Sequence, residues 1–166
     1  RVFGQHPKAW TLTTYFLSIT TMVVGNLFAL RQKNLKRFMA FSSITQAGFM
    51  MLGFVNSEAL GMTTVVYFML IYSLSNLAVF GVLSIVMNAT GKETMDDFNG
   101  FYSTNPRLSL VLLLALFSLA GIPPVAGFFG KFFLFTAAAS KGMYVLVFIA
   151  VINATVSLYY YLLVVK

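Results

Sequence analysis

One apolar stretch contains residues that interrupt helices, and this limits what the chain can fold into. Residues 118–133 read SLAGIPPVAGFFGKFF and are almost wholly apolar, which requires a lipid-like or deeply buried environment. Proline lacks a backbone N–H and collides with the preceding helical turn, so it breaks helices, and glycine weakens them. We therefore predict a helix that is broken near residues 121–127. The residues of these two types in the stretch are Gly121, Pro123, Pro124, Gly127 and Gly130.

A single charge follows the predicted break. Lys131 lies eight residues after Pro123, in an otherwise uncharged segment. In hydrocarbon, a broken helix is tolerated only against protein or a water-filled cavity, because each released backbone group needs a partner. A cation at such a place is a candidate functional site. The alternative is a kinked helix whose lysine amine reaches the membrane interface. This is disfavoured because Lys141 marks the far end about 15 Å further on.

Length decides how many times this segment crosses the membrane. Arg107 and Lys141 are 34 residues apart, and an unbroken helix of that length would measure about 51 Å. The hydrocarbon core is about 30 Å thick, and two separate spans would need about 20 residues each. We therefore predict one span over residues 107–140, made of two half-helices and an unwound middle.

Composition places the chain in a membrane. Its 166 residues are 59% hydrophobic and 9% charged, whereas soluble domains carry about 25% charged residues. The net charge of +7 does not predict a nucleic-acid partner, because the cations cluster at the ends of apolar segments. The absence of cysteine excludes a thiolate metal site or an iron–sulfur cluster within this sequence, and no GxGxxG or Walker fingerprint is present. All four acids fall in predicted loops, which excludes a paired-carboxylate hydrolase site and a carboxylate-rich metal cage.

The apolar segments predict an all-α, polytopic membrane protein with five spans. A polar lead-in over residues 1–10 precedes a transmembrane five-helix repeat over residues 11–166. The run Tyr159, Tyr160 and Tyr161 is interpreted as an exit through the membrane interface. The predicted spans are residues 11–30, 34–55, 62–87, 107–140 and 143–165.

The positive charges predict the orientation of these spans. With five spans, the side that contains the loop RQKNLKR receives seven cations and the opposite side receives three. Because cytoplasmic loops are enriched in Lys and Arg, the seven-cation side and the C-terminus are predicted to face the cytoplasm or the mitochondrial matrix. The seven are Arg31, Lys33, Lys36, Arg37, Lys92, Arg107 and Lys166, and the three are Arg1, Lys8 and Lys141.

Polar residues recur inside the predicted spans at helical spacing. Ser42, Thr45 and Gln46 share one helix face, because they lie three or four residues apart. A second cluster, Tyr72, Ser75 and Asn76, contains a tyrosine whose hydroxyl needs a partner if it is buried. Ordinary polar packing and a chain of bound water both explain these clusters. The candidates for such a water chain are Ser43, Gln46, Tyr72, Ser75 and Asn76.

Two segments together carry a family resemblance. ALRQKNLKRFMAFSSITQAGF, residues 29–49, and LAGIPPVAGFFGKFFLF, residues 119–135, resemble the antiporter-like membrane subunits of respiratory complex I. Within this family, the chain most resembles the branch called subunit 2, or the N-type subunit, of NADH dehydrogenase (quinone). The resemblance covers nearly the whole chain. It implies the second, C-terminal member of two inverted five-helix repeats. The first repeat is then expected on the same chain or on a separate one.

The resemblance also implies roles for individual residues. Lys131 matches the lysine of the family's second broken helix, a proposed proton carrier. Lys36 and Arg37 match an LKR element at a helix start, for which we favour topology anchoring over proton handling. Gln46 stands where many relatives have histidine, and Tyr72 lies near a second such position. Neither can replace histidine as a relay near neutral pH, so bound water is the expected carrier between them.

The function that the resemblance implies is proton translocation within NADH:quinone oxidoreductase, with no redox site in this chain. NADH, FMN, iron–sulfur clusters and quinone are expected in partner subunits, and the expected partners are other complex I membrane subunits and the lipid bilayer. One alternative is a subunit of a multi-subunit cation/proton antiporter or membrane-bound hydrogenase. Another is a structural scaffold in which Lys131 pairs with a carboxylate of a neighbouring chain.

The membrane and the extent of the chain stay open at this point. The bacterial plasma membrane and the mitochondrial inner membrane are both expected locations for such a subunit. The sequence begins with RVFGQHPKAW rather than with Met, so a fragment, a split-gene product and part of a longer chain are all compatible with it.

Overall fold

The computed structural model describes residues 7–55, 59–91 and 93–165, which are almost entirely helical. A short 3-10 helix, Met95–Phe98, is the remaining helical element of these residues. The predicted all-α class is confirmed. The α-helices of the described chain are α1 (Pro7–Ala29), α2 (Leu35–Val55), α3 (Ala59–Thr90), α4 (Phe101–Thr104), α5 (Pro106–Ala120), α6 (Ala126–Ala139) and α7 (Tyr144–Val165).

Some of the sequence-based predictions concern positions outside the described residues. The first six residues of the predicted lead-in are among them, whereas α1 already begins at Pro7, four residues before the predicted span. The other positions are the predicted topological charges Arg1, Lys92 and Lys166 and the side chain of Lys8.

Within the described residues, four helices are long and apolar enough to cross a membrane, namely α1, α2, α3 and α7. The two remaining apolar helices, α5 and α6, have 15 and 14 residues. Each is shorter than the roughly 20 residues that a span needs, so they can cross only as a pair. Helix α3 has 32 residues and would measure about 48 Å, which exceeds the hydrocarbon thickness. Helix α3 must therefore tilt in the bilayer or extend beyond the hydrocarbon.

Small residues bring α1 and α2 into close contact. A Cβ on Gly25 would lie 2.7 Å from Thr45 N, and a Cβ on Gly48 would lie 2.8 Å from Met22 N. Ser18 Oγ, also small, donates a hydrogen bond to Gly48 O at 2.8 Å. Close approach of two backbones through small residues is typical of helix pairs in membranes, where packing replaces the hydrophobic effect as the driving force.

The buried apolar residues form two clusters separated by a polar layer. One cluster contains Phe38 of α2, Leu83 of α3 and Leu116 of α5. The other contains Phe49 of α2 and residues from the opposite halves of the neighbouring helices. Along α2, the buried polar residues Ser42, Thr45 and Gln46 fall between the two clusters. Helix α2 therefore buries its polar side chains near its middle, between the two apolar clusters.

The connection after α3 is joined to the start of α2. Met95 N donates to Lys33 O, and Leu35 N donates to Glu93 O, both at 2.9 Å. The Glu93 carboxylate accepts hydrogen bonds from Asn34 Nδ2 and Lys36 Nζ, each at 2.9 Å. These contacts, which we call the loop clamp, hold the segment that follows α3 against the charged turn between α1 and α2. The hydrogen bond from Lys36 holds the pKa of Glu93 below its usual value.

Candidate functional site

The apolar stretch that contains both prolines separates α5 from α6. Helix α5 ends at Ala120, and Gly121 closes it in the left-handed conformation with φ of +82°. That conformation suits glycine because it has no Cβ. Ile122 N bonds back to Phe117 O at 3.0 Å, and Val125 is extended before α6 begins. Pro123 and Pro124 lie between these points, so the interruption covers residues 121–125.

Gly127 does not belong to the interruption, although the sequence predicted that it would. It lies in the first turn of α6. A Cβ at this position would collide with Ser118 O and lie 2.6 Å from Ser118 C. The absence of a side chain therefore lets the start of α6 pack directly on the backbone of α5. Close packing, rather than helix breaking, is the role that the structure gives to Gly127.

The side chain of Lys131 is buried at the interruption, with 5% of its surface exposed. Its Nζ donates hydrogen bonds to Leu119 O at 2.9 Å and to Ala120 O at 3.0 Å. The last carbonyls of a helix lack partners within that helix, and they carry its partial negative charge. The amine of α6 thus binds the free end of α5. We call this pair of carbonyls the carbonyl cradle.

Two further contacts complete the surroundings of the amine. The Nζ atom lies 5.0 Å from the centroid of the Phe49 ring, within the range of a cation–π interaction. A Cβ on Gly121 would lie 3.1 Å from Lys131 Cδ, so the lysine stem passes close over this glycine. The two carbonyl oxygens and the face of the ring carry negative partial charge, so each of them is a suitable partner for a positive charge.

A hydrogen-bonded chain leads from the carbonyl cradle into α2 and α7. Gln46 Nε2 donates to Leu119 O at 3.2 Å, so this oxygen accepts from both Gln46 and Lys131. Gln46 Nε2 also lies 3.2 Å from Tyr161 Oη, and this hydroxyl lies 2.6 Å from Ser42 Oγ. Polar residues of α2 and α7 are thereby connected to the lysine amine through Leu119 O.

The structure brings only some of the predicted relay residues to this site. Ser75 Oγ donates to Ser118 Oγ at 2.8 Å, beside the interruption. Asn76 Nδ2 donates to Tyr72 Oη at 3.2 Å, within α3 itself. Ser43 Oγ donates at 2.9 Å to Met39 O of its own helix, so its described hydrogen bond does not join the network.

A small cavity lies beside Gln46. Its volume is about 10 Å³, roughly the space needed for one water molecule. Gln46 Oε1 is buried and has no hydrogen-bond partner among the described residues, and an unpaired buried acceptor is unfavourable. The cavity can therefore hold one water molecule within reach of several polar groups. Its lining includes Gln46, Tyr72, Ser75, Ser118 and Gly127.

The interpretation of the tyrosine run as an interfacial exit is wrong for two of its three residues. Tyr160 and Tyr161 are 2% and 1% exposed, whereas Tyr159 is 59% exposed. Tyr160 Oη donates to Asn26 Oδ1 at 2.9 Å, and Asn26 Nδ2 donates to Asn153 Oδ1 at 2.8 Å. The helical spacing of the polar residues of α7 was a signal for this buried face, because Asn153 precedes Ser157 by four residues, and Ser157 precedes Tyr160 and Tyr161 by three and four.

The predicted topology anchors Lys36 and Arg37 lie in the first turn of α2, away from the lysine site. Lys36 forms an ion pair with Glu93, and both side chains are about half exposed. Arg37 N donates to Asn34 Oδ1 at 3.1 Å, which makes Asn34 the N-cap of α2. Neither residue contacts the carbonyl cradle in the described structure.

Together, the fold and the site define a polytopic helical membrane protein that buries an amine against the end of an interrupted helix. Residues 2–157 match the family described as NADH:quinone oxidoreductase/Mrp antiporter, TM. The chain belongs to this family, which confirms the resemblance to the antiporter-like subunits.

Individual relatives support this assignment. NADH-quinone oxidoreductase subunit N of Phocaeicola vulgatus is 53% identical over all of this chain, which corresponds to 35% of that protein. A chain of respiratory complex I from Thermus thermophilus, with 36% identity and a TM-score of 0.80, matches 92% of this chain and 35% of its own length. A chain of an archaeal membrane-bound sulfane sulfur reductase, with 28% identity and a TM-score of 0.88, matches 95% of this chain and 32% of its own. This chain thus spans about a third of the length of these relatives.

Proposed function

We propose that this chain is the C-terminal five-helix repeat of a subunit N, or subunit 2, of NADH:quinone oxidoreductase, and that Lys131 carries protons across the membrane interior. The observation that carries this proposal is the contact of Lys131 Nζ with Leu119 O and Ala120 O. A buried amine next to an interruption, surrounded by acceptors, can take up and release a proton as its surroundings change.

The physical basis is a balance between two opposing effects at one nitrogen atom. Burial removes water from the amine and disfavours its charged form. The carbonyl cradle and the Phe49 ring favour the charged form, because they present negative partial charge. A small movement of α6 relative to α5 changes the distance to the cradle and hence this balance. Such a movement could couple proton transfer to events in neighbouring subunits.

The remaining residues of the site serve the proton path in this proposal. Gln46 and Ser75 border the small cavity, which would hold a water molecule beside Leu119, whose carbonyl belongs to the cradle. Tyr72 and Asn76 extend the polar surface along α3. Lys36 and Arg37 fix the turn before α2 on the cytoplasmic or matrix side, where the C-terminus would also lie.

We place the redox reaction in partner subunits of the complex. This chain has no cysteine and no nucleotide-binding fingerprint in its sequence, so NADH, FMN, iron–sulfur clusters and quinone would bind elsewhere. The missing first repeat would lie on the same polypeptide or on a separate one. The membrane would be the bacterial plasma membrane or the mitochondrial inner membrane.

The structure favours this proposal over a purely structural scaffold. In the scaffold interpretation, Lys131 pairs with a carboxylate of a neighbouring chain and must reach the surface. The amine is instead buried, and its two described hydrogen bonds lie within this chain. Sequence identity favours the quinone reductase over the antiporter alternative, because the subunit N relative is 53% identical and a chain of the Mrp complex from Dietzia sp. is 24% identical.

The test replaces Lys131 by methionine in the complete complex, which is then reconstituted into lipid vesicles. Methionine keeps much of the volume and removes the amine. We expect the complex to assemble and NADH-driven proton transport to fall by at least about tenfold, since a positioned proton-transfer group contributes about a hundredfold or more.

The matched control is Lys141→Met, which removes an exposed lysine from the turn between α6 and α7. We expect this variant to transport protons at the wild-type rate. If the Lys131→Met complex assembles and transports protons as fast as the control, the proposed function is wrong and the scaffold interpretation gains support.

A further inference from the structure

The hydrogen-bonded chain beyond the carbonyl cradle contains a residue with no role in the proposed function so far. Tyr161 is buried near the end of α7, and its hydroxyl contacts both Gln46 and Ser42. Tyr161 does not touch Lys131 in any described hydrogen bond. Any influence of this hydroxyl on the lysine amine must therefore pass through Gln46.

The orientation of the Gln46 amide is fixed by its neighbours. Leu119 O is a carbonyl oxygen and can only accept, so the amide group that faces it must be the NH2. The same Nε2 lies 3.2 Å from Tyr161 Oη, which uses the second N–H. Both donors of Gln46 are then engaged, and Oε1 is a buried acceptor with no hydrogen-bond partner among the described residues.

The Tyr161 hydroxyl is itself held in place. Because it accepts from Gln46, its own proton is available for Ser42 Oγ, at the short distance of 2.6 Å. The ring packs edge-to-face on Phe38, with 5.7 Å between the centroids. The tyrosine therefore presents a rigid acceptor to the Gln46 amide.

We propose that Tyr161 is a positioning residue for proton transfer at Lys131, an inference that rests on the proposed function. Its hydroxyl keeps Gln46 Nε2 on Leu119 O, so that this oxygen is shared between the amide and the lysine amine. Without the hydroxyl, the amide loses one of its two anchors and its hold on Leu119 O weakens, which leaves this carbonyl to the lysine amine alone. A carbonyl that no longer shares its lone pairs with the amide stabilises the ammonium form and slows the release of its proton.

The experiment compares Tyr161→Phe with Tyr160→Phe in the complete complex, reconstituted into lipid vesicles. Both changes remove one buried hydroxyl from adjacent positions of α7. The Tyr160 hydroxyl is a matched control, because it donates to Asn26 rather than to a group of the Lys131 network. NADH-driven proton transport is measured from about pH 6 to about pH 9, together with the amount of assembled complex.

We expect Tyr161→Phe to slow proton transport about two- to tenfold, which is the effect of one hydrogen bond. A two- to tenfold change in the proton affinity of the amine corresponds to about 0.3 to 1 pH unit. We therefore also expect the pH of half-maximal transport to move higher by this amount. Tyr160→Phe should leave the pH profile in place. A purely structural role of Tyr161 would lower the amount of complex without moving this profile.

The outcomes separate this inference from the proposed function. If Lys131→Met abolishes transport but Tyr161→Phe has the rate and pH profile of Tyr160→Phe, the positioning role is refuted and the proposed function stands. If Lys131→Met leaves transport intact, both fall together. Should Tyr161→Phe fail to assemble, Gln46→Met removes the same amide contacts and must move the pH profile in the same direction. An unmoved profile in that variant also refutes the positioning role.

Discussion

Replacing Gly127 by alanine tests how closely the two short helices on either side of the interruption must pack. A Cβ at this position would lie 2.6 Å from Ser118 C, whereas nonbonded carbon atoms are separated by about 3.5 Å or more. The neighbouring atoms belong to the backbone of α5 and cannot rotate away. Helices α5 and α6 must therefore separate locally by about 1 Å.

This separation has two consequences for the lysine site. Overpacking of a well-packed core costs about 1–3 kcal/mol, and the upper part of this range applies because backbone must move. The carbonyl cradle directly follows Ser118 in sequence, so its distances to Lys131 Nζ, now 2.9 Å and 3.0 Å, would increase with the displacement. We therefore expect both a lower unfolding temperature and slower proton transport.

The assay measures the thermal unfolding midpoint and the NADH-driven proton transport of the complete complex. Gly81→Ala is the matched control, because this helical glycine of α3 has no atom within 4 Å of the added Cβ. Alanine should be neutral there or stabilise α3 by up to about 1 kcal/mol. If Gly127→Ala equals Gly81→Ala in both measurements, the close packing of α5 on α6 is not needed and the reasoning is refuted.

Two further predictions concern the loop clamp and the second polar network. Because the folded pKa of Glu93 is lowered, the clamp should be fully stable above the unfolded pKa of about 4.5 and should weaken as the pH falls through the folded pKa. Hydrogen exchange of Met95 N–H should show this acid opening in the wild type and lose it in Glu93→Gln, and equal pH dependence would contradict it. Asn26→Leu leaves Tyr160 and Asn153 without their partner and should destabilise the complex by about 1–3 kcal/mol, measured by thermal unfolding, without moving the pH profile of transport. A shifted profile would contradict the separation of the two networks.

The features that depend on local sequence could be predicted. The interruption follows from Pro123 and Pro124, because proline disrupts a helix whatever surrounds it. The shared face of Ser42, Thr45 and Gln46 follows from helical spacing alone, and all three are buried in the structure. These inferences need only the geometry of one helix.

The features that depend on contacts between helices could not be predicted. The partners of Lys131 are backbone carbonyls, and every residue has one, so the sequence carries no signal for the carbonyl cradle. Tyr160 and Tyr161 were assigned to the interface because aromatic residues near a span end are common there. Helical spacing shows which face they share with Asn153, but not that α1 and α2 cover it.

The role of Gly127 shows the same limit. A glycine three residues after two prolines is expected to extend the break, since glycine is a poor helix former. Only the position of α5 shows that the missing Cβ is needed for contact with Ser118. The loop clamp was likewise beyond prediction, because Asn34 and Glu93 are 59 residues apart.

The measurement that tests the central claim most directly is the depth and hydration of the Lys131 amine in the complete complex, embedded in lipid and imaged by electron cryomicroscopy at a resolution that shows ordered water. The account predicts that Nζ lies within the middle third of the hydrocarbon, a layer about 10 Å thick, with water density reaching it beside Gln46. An amine at the headgroup layer, or one that no water reaches, would contradict the claim that Lys131 carries protons within the membrane.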